Sequence, residues 1–439
     1  MSCTLVQLEA AMAQRIITTI TVIAWLLASG CTDRGLGEYD FTGQWEADQS
    51  TDDLVTTVHT RTGSVWGGRA ELQTELSIGD DDKGEQYVFG FVGGAVLGDN
   101  CILVLDAQVP ALRKYDLSGR YIRDVGRQGG GPGEFQRPDF ISVHPVDGRV
   151  FVPDTQQSRV NIYAPDGEYL DSWRVPPNYY IGGAQVVTAN DVFYHYRSVR
   201  GPYPMPDIPM GMVGFGASGA VGDTLIPGES PVETPALVGY RPDGGMFASM
   251  DVPFFPDFHW AITPGRELIR GFSADYRFEI IRSDGSVIIV SRRWNPVLVK
   301  EDEARWHREA LLVFFRSFRT EWEWDGPEIP DRKPAFDLFF ADLDGRIWVI
   351  RPGEGHRIEG CADPPTERRD RYDNPCWRDE VLVDVFDNMG RYLGPVAIPE
   401  GFAFYPPPYV KGDQVVGVVQ VADGSERVVK CRLVTPEAR

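Results

Sequence analysis

One pattern recurs from about residue 64 to residue 435 and limits the fold more than any other feature. It is a short β-rich run followed by a second run that ends in a turn built on Asp and Gly. The first copy is Cys101-Ile102-Leu103-Val104-Leu105-Asp106, then Leu112-Arg113-Lys114-Tyr115-Asp116-Leu117-Ser118-Gly119-Arg120. The second is Val150-Phe151-Val152-Pro153-Asp154, then Arg159-Val160-Asn161-Ile162-Tyr163-Ala164-Pro165-Asp166-Gly167. The two align at a spacing of 48 to 50 residues, the length of a propeller blade. Fainter copies begin at Val192, Glu267, Ile347 and Gln414, making six.

A single such hairpin unit cannot bury both faces, so radial packing against its neighbours must supply the core. The expectation is an all-β, six-bladed β-propeller over residues 64–435. Closing the ring requires a strand from one terminus to complete a blade begun at the other. Residues 65–92, especially Tyr87-Val88-Phe89-Gly90-Phe91-Val92, are the candidate. The turn at Tyr240-Arg241-Pro242-Asp243-Gly244 leaves seven blades open. Two segments interrupt the period. Residues 300–320 are charged early and apolar later, which predicts one inserted helix. Residues 353–378 hold Cys361 and Cys376, expected as a disulfide worth about 3 kcal/mol for a loop of that length.

The N-terminus reads as an address. Arg15 precedes an apolar stretch over residues 16–27, about a signal-peptide core and short for a bilayer span. Leu27-Ala28-Ser29-Gly30-Cys31 follows and resembles the bacterial lipobox, which predicts a signal peptide over residues 1–30 and lipidation at Cys31. Met12 is an alternative start. Thr32, in place of Asp, favours the outer membrane over the inner. Residues 31–63 are polar without clear period, predicting a flexible tether. An exported chain keeps disulfides, and whether Cys101 and Cys431 pair stays open. The formal charge of -21 is unchanged by removing residues 1–30, because Glu9 and Arg15 cancel. That charge argues against a nucleic-acid partner.

The stretches Tyr115-Asp116-Leu117-Ser118-Gly119-Arg120, Gly129-Gly130-Gly131-Pro132-Gly133-Glu134-Phe135 with Pro138, and Asp342-Leu343-Asp344-Gly345-Arg346-Ile347-Trp348 are similar to the six-bladed β-propeller lipoproteins of bacteria, related to NHL-repeat proteins. The resemblance extends over roughly residues 64–435. It implies fold and membrane-surface location; it implies no activity.

The glycines of residues 126–133 are read as a blade connection, since no helix follows to complete a phosphate cradle. Asp106 and Asp154, at the ends of what read as innermost strands, are candidate channel-mouth residues. So are Tyr196, His195 and Arg351 in later copies. The alternative for the aspartates is a turn in which the carboxylate caps backbone N–H groups and pairs with Arg113 or Arg159. No His spacing suits a metal, and neither His-Glu-x-x-His nor Gly-x-Ser-x-Gly occurs. The leading expectation is a non-enzymatic binding or scaffold module for a protein or small ligand at the membrane surface, without cofactor. A metal-dependent enzyme of the lactonase or lyase kind, with Ca²⁺ or Zn²⁺ in the central channel, is the alternative. A third reading is glycan binding through Trp306, Trp322 and Trp324.

Overall fold

Cys101–Asp106 is an unbroken apolar run because both of its faces are covered, and all six of its residues are buried. The computed structural model describes residues 41–79, 83–175, 185–198, 210–219, 221–241, 243–361, 363, 365–366, 376–421 and 424–436. The expected signal peptide and Cys31 lie outside these residues. Cys101–Asp106 is the second strand of a four-stranded antiparallel sheet whose first, third and fourth strands are Val92–Gly98, Ala111–Asp116 and Tyr121–Gly126. The same plan gives blade 2 (Ser142–Val143 to Tyr169–Arg174), blade 3 (Gln185–Val187 to Val221–Leu225), blade 4 (Phe258–Ile262 to Val287–Arg292) and blade 5 (Leu338–Ala341 to Tyr392–Ala397).

Blade 6 is assembled from both ends of the chain. Its second and third strands are Gln414–Gln420 and Glu426–Val434, and Ala70–Ile78 pairs antiparallel with the latter as the outermost strand. The closing strand therefore falls inside the expected window of 65–92 but not at Tyr87–Val92. Those residues lead into blade 1, because Tyr87 and Phe89 pack beneath it against Tyr115. Each pair of neighbouring blades shares a dry interface. Val416, Val418 and Val428 of blade 6 meet Ile102 and Val104 of blade 1, Val150 and Tyr163 of blade 2 meet Leu103 and Leu112 of blade 1, and Phe151 of blade 2 stacks on Phe193 of blade 3. Further round, Phe278 of blade 4 meets Phe339 and Phe386 of blade 5.

The recurring Asp/Gly turns hold the outer hairpins. Asp116 Oδ1 accepts the backbone N–H groups of Ser118 and Arg120, while Oδ2 takes Arg120 Nε. Asp387 repeats the pattern with Met389 and Arg391. Gly119 and Gly390 sit at φ 81° and 78° to let the chain reverse.

Residues expected in the tether are ordered. Glu46–Asp52 and Val55–Thr62 form an antiparallel hairpin whose second strand adds in parallel to the outer strand of blade 4. The chain then crosses blade 5, where Val65 and Trp66 N–H groups donate to the carbonyls of Tyr392 and Leu393, before entering blade 6. The polar sequence hides the hairpin because only its backbone and one face need a partner.

Two more expectations change. No seventh blade exists among the described residues: the turn near residue 243 joins the two-stranded hairpin Ala236–Tyr240 and Met246–Asp251. That hairpin packs with the expected helix, found at Glu301–Arg316, through Leu237, Leu311, Phe314, Phe315 and Trp322. The runs read as innermost strands are each second in their blade, with another strand inside them.

If the N-terminal strand closes the ring, a chain beginning at residue 80 should lose its cooperative thermal transition, measured by circular dichroism. One beginning at residue 64 should retain it.

Candidate functional site

Neighbouring strands within a blade run antiparallel, so links from each fourth strand to the next first strand, and from second to third strands, emerge on one face, here the front. Links on the back are short, none longer than residues 144–149. The front carries the long ones, including residues 127–141, residues 226–257 with their hairpin and residues 293–337 with the helix. It also carries an arm in which Ile347–Arg357 and Trp377–Phe386 extend beyond blade 5. Loops on a rigid scaffold are where recognition concentrates.

The arm and helix are fixed by burial and charge. Cys361 and Cys376 form the expected disulfide, with Cα atoms 5.2 Å apart, and with Trp377 they pack on Trp306 and Ala310 of the helix. The fully buried Lys333 ammonium lies 2.8 Å from Glu303 Oε1 and 2.6 Å from Asp379 Oδ1. Burial outweighs this pairing at Asp379 and pushes its carboxyl up. Cys101 and Cys431 are free, buried thiols in separate blades.

The aspartates expected at the channel mouth do structural work. Asp106 Oδ1 accepts the N–H groups of Gln108 and Val109, while Oδ2 takes that of Gly90 and faces Arg113 at 3.3 Å. Asp154 accepts four backbone N–H groups, from Gln136, Arg137, Gln156 and Gln157, together with the Gln157 side-chain amide. Arg159 does not pair with Asp154; its Nη2 holds the glycine-rich loop through the carbonyls of Gly131 and Glu134. Both carboxylates are fully buried, with both oxygens engaged. His195 and Tyr196 lie on the second strand of blade 3, Phe193–Ser198; their side chains are outside what is described. His356 is exposed on the arm.

Arg351 is drawn into the blade 4–5 interface instead. Its Nη1 lies 3.2 Å from Asp384 Oδ2, which also accepts from Arg292 Nη2 at 2.5 Å and Tyr276 Oη at 2.8 Å; Tyr392 Oη donates to Oδ1 at 2.6 Å. Burial acts to raise the Asp384 pKa, but the two guanidinium groups overcome it and hold the carboxyl at about 2. The Arg292 guanidinium stacks over Tyr276 and Tyr392, which supplies the contacts its buried charge needs.

The channel itself is apolar. At the front it widens into a cavity of about 190 Å³ walled by Phe140, Met212, Trp260, Leu338, Phe339 and Phe404, with Tyr405 at its rim. A smaller cavity of about 90 Å³ continues toward the back past Val143, Val187, Leu343 and Tyr409. Asp342, on that wall, is engaged by Arg346 Nε at 2.6 Å and Trp348 Nε1 at 2.9 Å. Among the described residues no three His, Cys, Asp or Glu side chains are placed to hold a metal ion. Ca²⁺ and Zn²⁺ need several such donors, so the described channel wall does not fit either ion. The tryptophans do not offer stacking faces either. Trp306 and Trp322 are buried, and Trp324 is covered by Arg308 while its Nε1 donates to the carbonyls of Gly326 and Pro327.

The wall residues were not singled out from sequence. The available signal was Phe404-Tyr405-Pro406-Pro407-Pro408, which breaks the inner strand of blade 6 between Phe402–Ala403 and Tyr409–Lys411. Proline has no N–H to give a ladder, so such a run bulges from the sheet.

Comparison with known proteins agrees with this architecture. Residues 89–201 match the family model described as 6-bladed beta-propeller, so the six-bladed propeller that the resemblance implies is supported over these residues. No curated protein matches the chain. A solved structure of a DUF4221-family member from Bacteroides vulgatus is similar at TM-score 0.50 and 11% identity, covering 84% of this chain and 99% of that one. A protein described as exported, from Bacteroides fragilis, aligns at TM-score 0.42 and 11% identity over 86% and 99% of the two chains. A streptogramin B lyase aligns at 0.35 and 11% over 84% and 100%. At such identities the likeness concerns the propeller fold alone.

The Asp384 cluster makes stability depend on acid. An unfolded Asp titrates near 3.9, and this one is held at about 2. Its contribution is complete above about pH 4 and is lost as pH falls through about 2. Asp384→Asn should cost about 3–5 kcal/mol at pH 7, because it strands two buried guanidiniums. It should also flatten the acid limb of urea-unfolding free energy against pH.

Proposed function

We propose that this six-bladed β-propeller is a lipid-anchored, extracytoplasmic binding module that presents its front face to a ligand or partner at the membrane surface. The observation that carries the reading is the inequality of the two faces. Short turns close the back, while the helix, the hairpin, the disulfide-closed arm and the wider end of the channel all lie at the front. Recognition asks for loops held rigidly, and Lys333 with its two carboxylates and the Cys361–Cys376 bridge hold them.

The disulfide also supports an oxidising compartment, in keeping with the apolar segment over residues 16–27 and the small residues before Cys31. Acyl chains on Cys31 would partition into the bilayer at about 0.8 kcal/mol per buried methylene, so two or three chains suffice for firm attachment. Nine residues, 32–40, lie between that Cys and residue 41, and ten extended residue steps span at most about 36 Å. The propeller then works close to the membrane.

Cell fractionation tests the anchor. The wild-type protein should sediment with membranes and be released by detergent but not by high salt. Cys31→Ser should move it to the soluble fraction without changing its thermal midpoint. A wild-type protein that is soluble after export would overturn the anchored reading.

A further inference from the structure

We propose that the front cavity of the channel binds one small, uncharged aromatic molecule of two or three rings. This narrows the reading of the front as a binding face and rests on it.

The cavity is built rather than left over. Inner strands elsewhere in the ring run along the channel, but that of blade 6 stops at Ala403 and resumes at Tyr409. Between them Phe404, Tyr405 and Pro407 line the opening that results. The inner strand of blade 2 is only Ser142–Val143, which leaves Phe140 and Ile141 to line the opposite side of the same space. Walls contributed by five of the blades give the space a fixed shape, since each wall residue sits on a strand, or next to one, packed against its neighbours. A fixed apolar opening of this kind takes up small apolar molecules.

The walls state what the occupant is. A volume of about 190 Å³ exceeds the roughly 150 Å³ that accepts benzene in an apolar cavity. Among the described residues no Asp, Glu, Lys, Arg or His side chain lines it. A charged group taken there would lose its hydration with nothing to replace it. Phe140, Trp260, Phe339 and Phe404 offer ring faces and edges, which favour a flat aromatic partner over a flexible aliphatic one. At the entrance Phe140 and Tyr405 meet edge to face with centroids 5.0 Å apart, and Tyr405 is 61% exposed, so the gate is one surface ring.

The test is fluorescence titration of the purified full chain with N-phenyl-1-naphthylamine, a neutral probe whose emission rises in apolar surroundings. Saturable binding of one probe per chain is expected, with quenching of tryptophan emission. Its sulfonated counterpart, 8-anilinonaphthalene-1-sulfonate, should bind at least tenfold more weakly. Ala261→Trp, which fills the cavity, should weaken the neutral probe at least tenfold. Tyr405→Ala removes an exposed ring, leaves folding intact and should weaken it about fivefold, so the proposal can be judged even if Ala261→Trp does not fold. Non-saturable binding, equal binding of the sulfonate, or no effect of Tyr405→Ala would overturn the proposal. Dodecanol displacing the probe from a site that naphthalene itself does not enter would overturn it in favour of an acyl chain. None of these outcomes bears on whether Cys31→Ser releases the protein from membranes, so the anchored module and the aromatic cavity fail separately.

Discussion

Everything in this molecule depends on one pairing between distant parts of the chain: Ala70–Ile78 against Glu426–Val434, seven residue pairs from Glu71↔Val434 to Ile78↔Val428. Without it blade 6 has an open outer edge and the ring of dry interfaces is interrupted at its one covalent gap. With it, the two ends of the propeller are held by backbone hydrogen bonds and by Ala70, Leu72, Val429 and Leu433, all buried in the same cluster. The N-terminal strap before it, the Glu46–Asp52 and Val55–Thr62 hairpin with the segment that follows, adds a second hold by extending the blade 4 sheet and crossing the edge of blade 5. Closure of this kind fixes the position of every inner strand, and so fixes the shape of the channel.

The charged clusters belong to the same logic. Asp106, Asp154, Asp384 and Lys333 are buried, and each is engaged by neighbours that anchor a turn, an interface or an insertion. Buried charge is costly unless its neighbours engage it; here local groups satisfy Asp106 and Asp154, while Asp384 and Lys333 bridge elements far apart in sequence. Arg292 and Asp384 are 92 residues apart and join blades 4 and 5. The channel, by contrast, keeps charge off its described front wall, which separates the part of the structure that fixes shape from the part that can take up a ligand.

How much of this was readable follows from what each residue faces. Tyr115 to Arg120 and Phe386 to Arg391 announce their turns, because an Asp capping two N–H groups and a glycine at positive φ are local requirements with local residues. Blade count followed from them. Cys101–Asp106 misled because an all-apolar run suggests an innermost position, whereas in a ring it is the second strand that has blades on both sides. Two of the true inner strands, Ser142–Val143 and Gln185–Val187, are only two and three residues long and carry no periodicity to detect. The strap was hidden for the opposite reason. Glu46–Asp52 is polar throughout and gains its place by backbone pairing at a sheet edge, which sequence pattern does not record. The cavity was the least legible feature, since its wall comes from single residues of several blades that only closure brings together.

A native thiol allows the closing pair to be tested directly. Thr74 and Cys431 are paired across these strands, with Thr74 Oγ1 and Cys431 Sγ 3.6 Å apart and 357 residues between them. Thr74→Cys in the purified protein, under mild oxidant, should form a disulfide with Cys431, identified by mass spectrometry of a proteolytic digest, and should raise the thermal midpoint by locking the ring. Two thiols that stay reduced in the folded protein would contradict the closure on which this account is built.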